Sequence, residues 1–114
     1  MPIKRDRPIL LFFPLDMLSH VLRCLQLADA VKGTADCIIA TEKFGSYVTG
    51  RGFKAIHYKA LSADMVIQMG QRGDYSYISK TSLEPILLHQ VQVIKAVKPD
   101  YVINDMTFTA HLAA

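Results

Sequence analysis

The chain has 114 residues, of which 51% are hydrophobic and 20% charged, with a net charge of +3. That length holds one domain with a core of its own but not two, and the apolar fraction excludes a disordered or solvated coil. The longest uncharged apolar run, Ile9 to Leu15, falls far short of the roughly 20 residues a membrane-spanning helix needs.

The basic start (Lys4, Arg5, Arg7) imitates a signal peptide, but Asp6 and Asp16 flank the short apolar run and no small-residue cleavage site follows. A cytoplasmic protein is expected, and a position peripheral to a membrane stays open. Cys24 and Cys37 form neither a disulfide framework nor a metal-ligand spacing, so both read as buried thiols. The positive charge is spread along the chain, and no nucleic-acid partner is expected from it.

Met1 to Arg7 reads as a polar lead-in. Pro8 to Leu15 follows as a strand whose continuous hydrophobicity suits burial on both faces. After a short loop, Ser19 is a candidate N-cap for a helix with Val21, Leu22, Leu25, Ala28 and Val31 at three- and four-residue spacings, ended by Gly33. Asp36 to Ala40 is a second short strand. Thr41 caps a helix from Glu42 that carries Phe44, Tyr47 and Val48 and stops at Gly50 or Gly52. Phe53 to Tyr58 alternates as a third strand.

Ser62 to Met69 reads as a short helix capped by Ser62, and Gly70 to Ser79 as a polar loop. Ser82 caps a longer helix with Pro85 in its first turn and a stripe of Leu83, Ile86, Leu87, Val91, Ile94 and Val97. Pro99 stops it, Tyr101 to Asn104 is a fourth strand ending at Asp105, and Thr107 to Ala114 begins another helix. Alternating strands and helices imply an α/β fold with a Rossmann-like open parallel sheet, helices on both faces and strand order 3-2-1-4. The apolar Ala113-Ala114 ending, still in helical phase, is expected to continue in a longer protein or to pack on a partner.

In that order the first and fourth strands are neighbours and the crossovers reverse between them, so His20 and Asp105 would meet at the switch point. A carboxylate bonded to one imidazole nitrogen fixes the tautomer and makes the other nitrogen a better base, able to deprotonate a hydroxyl. Two plainer readings stand beside this one. His20 can be a surface residue of the first helical turn, and Asp105 can cap a helix from Thr107. His57, His89 and His111 show no ligand spacing and are given no role, and no metal site is expected. The loop PLDMLSH lacks the glycines of a nicotinamide or flavin site, and no phosphate-loop motif occurs.

The pattern of a strand, then P-x(4)-S-H, then L-x-L-A-x-A with a glycine after the helix resembles the start of nucleotide-sugar glycosyltransferases of the two-Rossmann-domain (GT-B) type. It is most similar to family 1, the UDP-glycosyltransferases and macrolide-type glycosyltransferases. ATEKFGSYVTGRGFKAIHY is similar to their second strand, helix and "G-F" third strand, and KPDYVINDMTFTAHLA to their "PD-apolar-apolar-D" segment. The resemblance implies His20 as the base that takes the acceptor hydroxyl proton and Asp105 as the aspartate that orients it. Ser19 stands where the family usually has glycine. Arg23 stands where it usually has proline, a change expected to matter less because it lies inside the helix.

In the family the donor is held mainly by a second, C-terminal domain, so residues 1–114 are expected to be the acceptor-binding half of an inverting transferase, inactive alone. Leu15, Asp16, Met17, Leu18 and Ser19 with Met106 and Phe108 would line a pocket for a small hydroxylated acceptor. No cofactor is expected in this domain, and a UDP- or dTDP-sugar is the donor implied for the complete enzyme. The competing expectation is a non-catalytic binding subunit that docks on a separate donor-binding chain, with self-association through the final helix also open. An unrelated flavodoxin-like ligand binder is the third reading.

Overall fold

Residues 7–60, 62–76 and 78–105 are described by the computed structural model of the chain. The apolar run near the start becomes β1 (Ile9–Pro14), the inner strand on which the sheet is built. It pairs in parallel with β2 (Asp36–Ala40) on one side and with β4 (Tyr101–Asp105) on the other. β3 (Lys54–Ile56) adds to the outside of β2, giving the parallel order β3-β2-β1-β4 expected from the sequence.

The pleat of β1 divides the core. Leu11 and Phe13, both fully buried, face one side and pack with Ala40, Tyr58, Ile86 and Val93. Phe12 faces the other side with Val21, Leu25, Ala28, Ile39 and Val48. Each of the leucine, isoleucine, valine and phenylalanine side chains among them contributes about 1.5–3 kcal/mol by leaving water. Ile86 and Val93 belong to α4 (Lys80–Val97), whereas Val21, Leu25 and Ala28 belong to α1 (Leu18–Val31) and Val48 to α2 (Gly45–Gly50). Helices therefore cover both faces.

Several boundaries moved from their expected places, each for a local reason. α1 begins at Leu18 with Met17 as N-cap, so Ser19 lies inside the first turn. The Met17 carbonyl already accepts the N–H groups of His20 (3.1 Å) and Val21 (3.0 Å), leaving Ser19 no capping task. α2 begins at Gly45 rather than Glu42 because side chains take the donors just before it. The Asp16 carboxylate accepts from the N–H of Glu42 and Lys43, and the Thr41 hydroxyl from that of Phe44.

β3 ends at Ile56 instead of Tyr58. Its carbonyl there accepts the Thr41 N–H (3.0 Å), β2 has ended, and Tyr58 turns into the core edge-on to Phe13 with ring centres 5.4 Å apart. The capping of α3 (Ala63–Gln71) by Ser62 is as expected, its Oγ accepting the Met65 N–H at 3.3 Å. α4 is capped by Ser79 and not Ser82. The Ser79 Oγ accepts the Ser82 N–H at 3.2 Å, so Pro85 lies past the first turn.

Lys98 ends α4 in the left-handed region (φ 53°), and Pro99 keeps the helix from resuming. Asp100 then sets the register of β4. Its carboxylate accepts the Ile9 N–H (2.8 Å) while its own N–H donates to the Ile9 carbonyl (2.9 Å). Five residues on, that register places Asp105 opposite Pro14. No helix among the described residues is long and apolar enough to cross a membrane. The helix expected from Thr107 to Ala114, with Met106, Phe108 and His111, lies outside the described residues.

Candidate functional site

The carboxyl ends of β1 and β4 meet where the chain leaves β1 for α1. There the Leu15 N–H donates to the Asp105 carbonyl at 2.7 Å, continuing the strand ladder one residue beyond β1. This bond anchors the loop, and the helix starting three residues later carries His20 over the end of β4. His20 Nδ1 lies 3.3 Å from Asp105 Oδ2, and the two side chains are only 15% and 14% exposed. The contact is at ion-pair distance without the alignment of a hydrogen bond. Catalytic hydrogen bonds are commonly long before substrate binds and tighten with it.

Arg23, one turn after His20, lies on the same side of α1. Its Nη1 donates to Asp105 Oδ1 at 3.1 Å, so Asp105 faces the imidazole with one oxygen and the guanidinium with the other. Arg23 lies inside the helix as expected, and its side chain reaches from there to the strand end. Cys24, next in the chain, is buried, and its thiol is pushed up to about 12, first by burial and then by the charge of Asp105. It is a protonated core thiol and no nucleophile. Cys37 is raised in the same direction, chiefly by burial, and its Sγ donates to the Ala28 carbonyl.

The loop residues divide by orientation. Leu15 and Asp16 are buried, Met17 is half-buried, and Leu18 and Ser19 are exposed beside His20. Asp16 faces inward to the turn after β2, where it accepts from the Thr41 hydroxyl at 2.5 Å and from the N–H groups of Glu42 (3.3 Å) and Lys43 (3.1 Å). Its carboxylate is engaged in holding two loops together. Met17, Leu18 and Ser19 are the loop residues with surface to offer a ligand. Met106 and Phe108 lie outside the described residues.

The structure also gathers side chains that the sequence did not connect. His89 of α4 accepts the Lys59 N–H on Nδ1 at 2.8 Å, which leaves the proton of the neutral ring on Nε2. Its ring lies 6.5 Å from that of His57 and 6.2 Å from that of Tyr58, centre to centre. His89 ties the loop after β3 to α4, a structural task that nothing in the histidine spacing announces. Among the described residues, no three His, Cys, Asp or Glu side chains are grouped to hold a metal ion.

Chemically, an imidazole whose Nδ1 is held against a carboxylate presents Nε2 as the free base, and the imidazolium formed on taking a proton is stabilised by the same carboxylate. The pair suits the removal of a proton from a hydroxyl placed within about 3 Å of Nε2. No protein-family model matches the chain, and no curated protein does so either.

Proposed function

We propose that the chain is the acceptor-binding half of an inverting, nucleotide-sugar-dependent glycosyltransferase. His20 takes the proton from the acceptor hydroxyl through Nε2, and the oxygen so freed attacks the anomeric carbon of the sugar as the nucleotide departs. Asp105 is the positioning residue, orienting the ring and stabilising the imidazolium. The reading rests above all on the 3.3 Å approach of His20 to Asp105 at the adjoining carboxyl ends of β1 and β4. It draws on the resemblance for the identity of the reaction.

Met17, Leu18 and Ser19 supply the acceptor-side rim, with Met106 and Phe108 assigned to the same pocket from the resemblance. The donor, a UDP- or dTDP-sugar, is assigned to a second domain or a partner chain. The test supplies that donor-binding half and measures sugar transfer to hydroxylated acceptors by the original chain and by His20→Ala. A loss of about 10²–10⁴-fold is expected for removal of a general base. Undiminished turnover in a folded His20→Ala protein removes the assignment.

A second reading has its own observation. Ile78 and Leu88 are large apolar side chains exposed to solvent, and with Leu83 and Leu87 they line one groove along α4. Such a surface favours a subunit that docks on another chain. Retained association with a donor-binding chain after His20→Ala, without any transfer by the original complex, would favour this reading over the enzyme.

A further inference from the structure

At the end of the sheet opposite His20, the amino ends of β2 and β3 bound a crevice of about 320 Å³. Four cationic side chains line it, Arg7, Lys32, Arg51 and Lys54, against one carboxylate among the described lining residues, Asp36. Arg7 already neutralises that carboxylate. Its Nε lies 3.1 Å from Asp36 Oδ1, and its Nη2 donates to the carbonyls of Lys32 and Ala35. Three cations then remain around the hollow.

Their states differ in a useful way. Lys32 pairs with Asp29 at 2.9 Å, but both side chains are well exposed and such a pair is weak and easily exchanged. Arg51 is held in place, with Nη1 donating to the Tyr47 hydroxyl at 3.1 Å and the guanidinium 5.9 Å from the centre of that ring. Lys54 makes no ion pair among the described residues. Like charges around one hollow raise the energy of the free fold, and a bound anion relieves that cost.

We propose that this crevice binds a compact phosphorylated small molecule with two adjacent phosphoryl groups, held by Arg51 and Lys54 with Lys32 at the rim. A planar guanidinium fork beside ammonium groups matches phosphate oxygens. The volume lies at the small end of ligand pockets and suits a diphosphate moiety. The site shares no residue with the His20–Asp105 pair and stands whether or not that pair is catalytic.

The test titrates the isotopically labelled chain with pyrophosphate and follows its amide resonances. Saturable shifts confined to residues 7, 32, 35–37 and 51–54 are expected, with about tenfold weaker binding in Lys54→Gln and in Arg51→Gln, as loss of one charge-assisted contact predicts. Both side chains are at the surface, and the unchanged spectrum of the remaining residues verifies the fold. Shifts that rise linearly at exposed lysines throughout the chain, or saturable binding undiminished in both variants, would overturn the proposal. Vesicles containing diacylglycerol pyrophosphate identify the source: co-sedimentation abolished by the same substitutions marks a lipid diphosphate headgroup, and pyrophosphate binding without co-sedimentation marks a soluble ligand.

Discussion

Arg23 and His20 share the carboxylate of Asp105, the guanidinium at 3.1 Å on one oxygen and the imidazole at 3.3 Å on the other. The sharing follows from helix geometry, because residues three apart on α1 project from the same face and β4 ends beneath that face. The Asp105 carboxylate thus meets a different α1 side chain on each oxygen.

Replacement of Arg23 by alanine should therefore change stability by less than about 1 kcal/mol, since its side chain is 59% exposed and exposed ion pairs contribute little. Asp105→Asn keeps the side-chain size but removes the charge that favours the imidazolium. On the proposed function, with a donor-binding half supplied, it should lower sugar transfer by roughly 10²-fold or more, by analogy with other carboxylate–histidine pairs. Urea unfolding together with sugar transfer measures both, and a large stability loss in Arg23→Ala contradicts the first statement.

Asp16 should behave as a structural residue. Its buried carboxylate accepts from Thr41, Glu42 and Lys43, so Asp16→Ala strands three donors and should cost on the order of 3 kcal/mol. Asp16→Asn retains an acceptor oxygen and should cost less. The comparison is read from chemical denaturation midpoints, and equal losses in the two variants would contradict the hydrogen-bond account.

Alkali should weaken the fold through Cys24. Its thiol is raised from 9.0 to about 12, so the folded chain keeps a proton that the unfolded chain gives up. This contribution, on the order of 4 kcal/mol when whole, is present below pH 9 and is lost as the pH rises toward 12. Unfolding at pH 8 and pH 11 should show a smaller alkaline loss in Cys24→Ala than in the original chain, although the variant starts less stable because of its cavity.

Lys98 adopts a left-handed backbone at the end of α4 (φ 53°), a conformation glycine takes without a Cβ penalty. Lys98→Gly should raise stability by about 0.5–1 kcal/mol, seen as a higher thermal midpoint. A lower midpoint would show that the lysine side chain contributes more than the backbone strain removes.

The strand-helix order, the inner position of Ile9–Pro14 and the neighbouring of the first and fourth strands were legible in the sequence. Apolar runs, periodicity and short connections are local quantities, and a parallel sheet admits few arrangements of them. The helix starts were legible only approximately. Whether Ser19, Ser79 or Ser82 caps a helix depends on which donors its neighbours leave free, and Asp16 and Thr41 moved the start of α2 by reaching across 25 residues.

Distance in space decided the rest. The 3.3 Å between His20 and Asp105 depends on Asp100 setting the register of β4 and on the Leu15–Asp105 bond anchoring the loop. Arg23 reaching Asp105, His89 reaching Lys59, and four cations surrounding one crevice at the amino ends of β2 and β3 have no signature in spacing. The sequence determined which surfaces must be buried, because burial follows from each residue's own hydrophobicity. Only the tertiary structure decided which charged groups meet, because such meetings are by-products of how the buried surfaces pack.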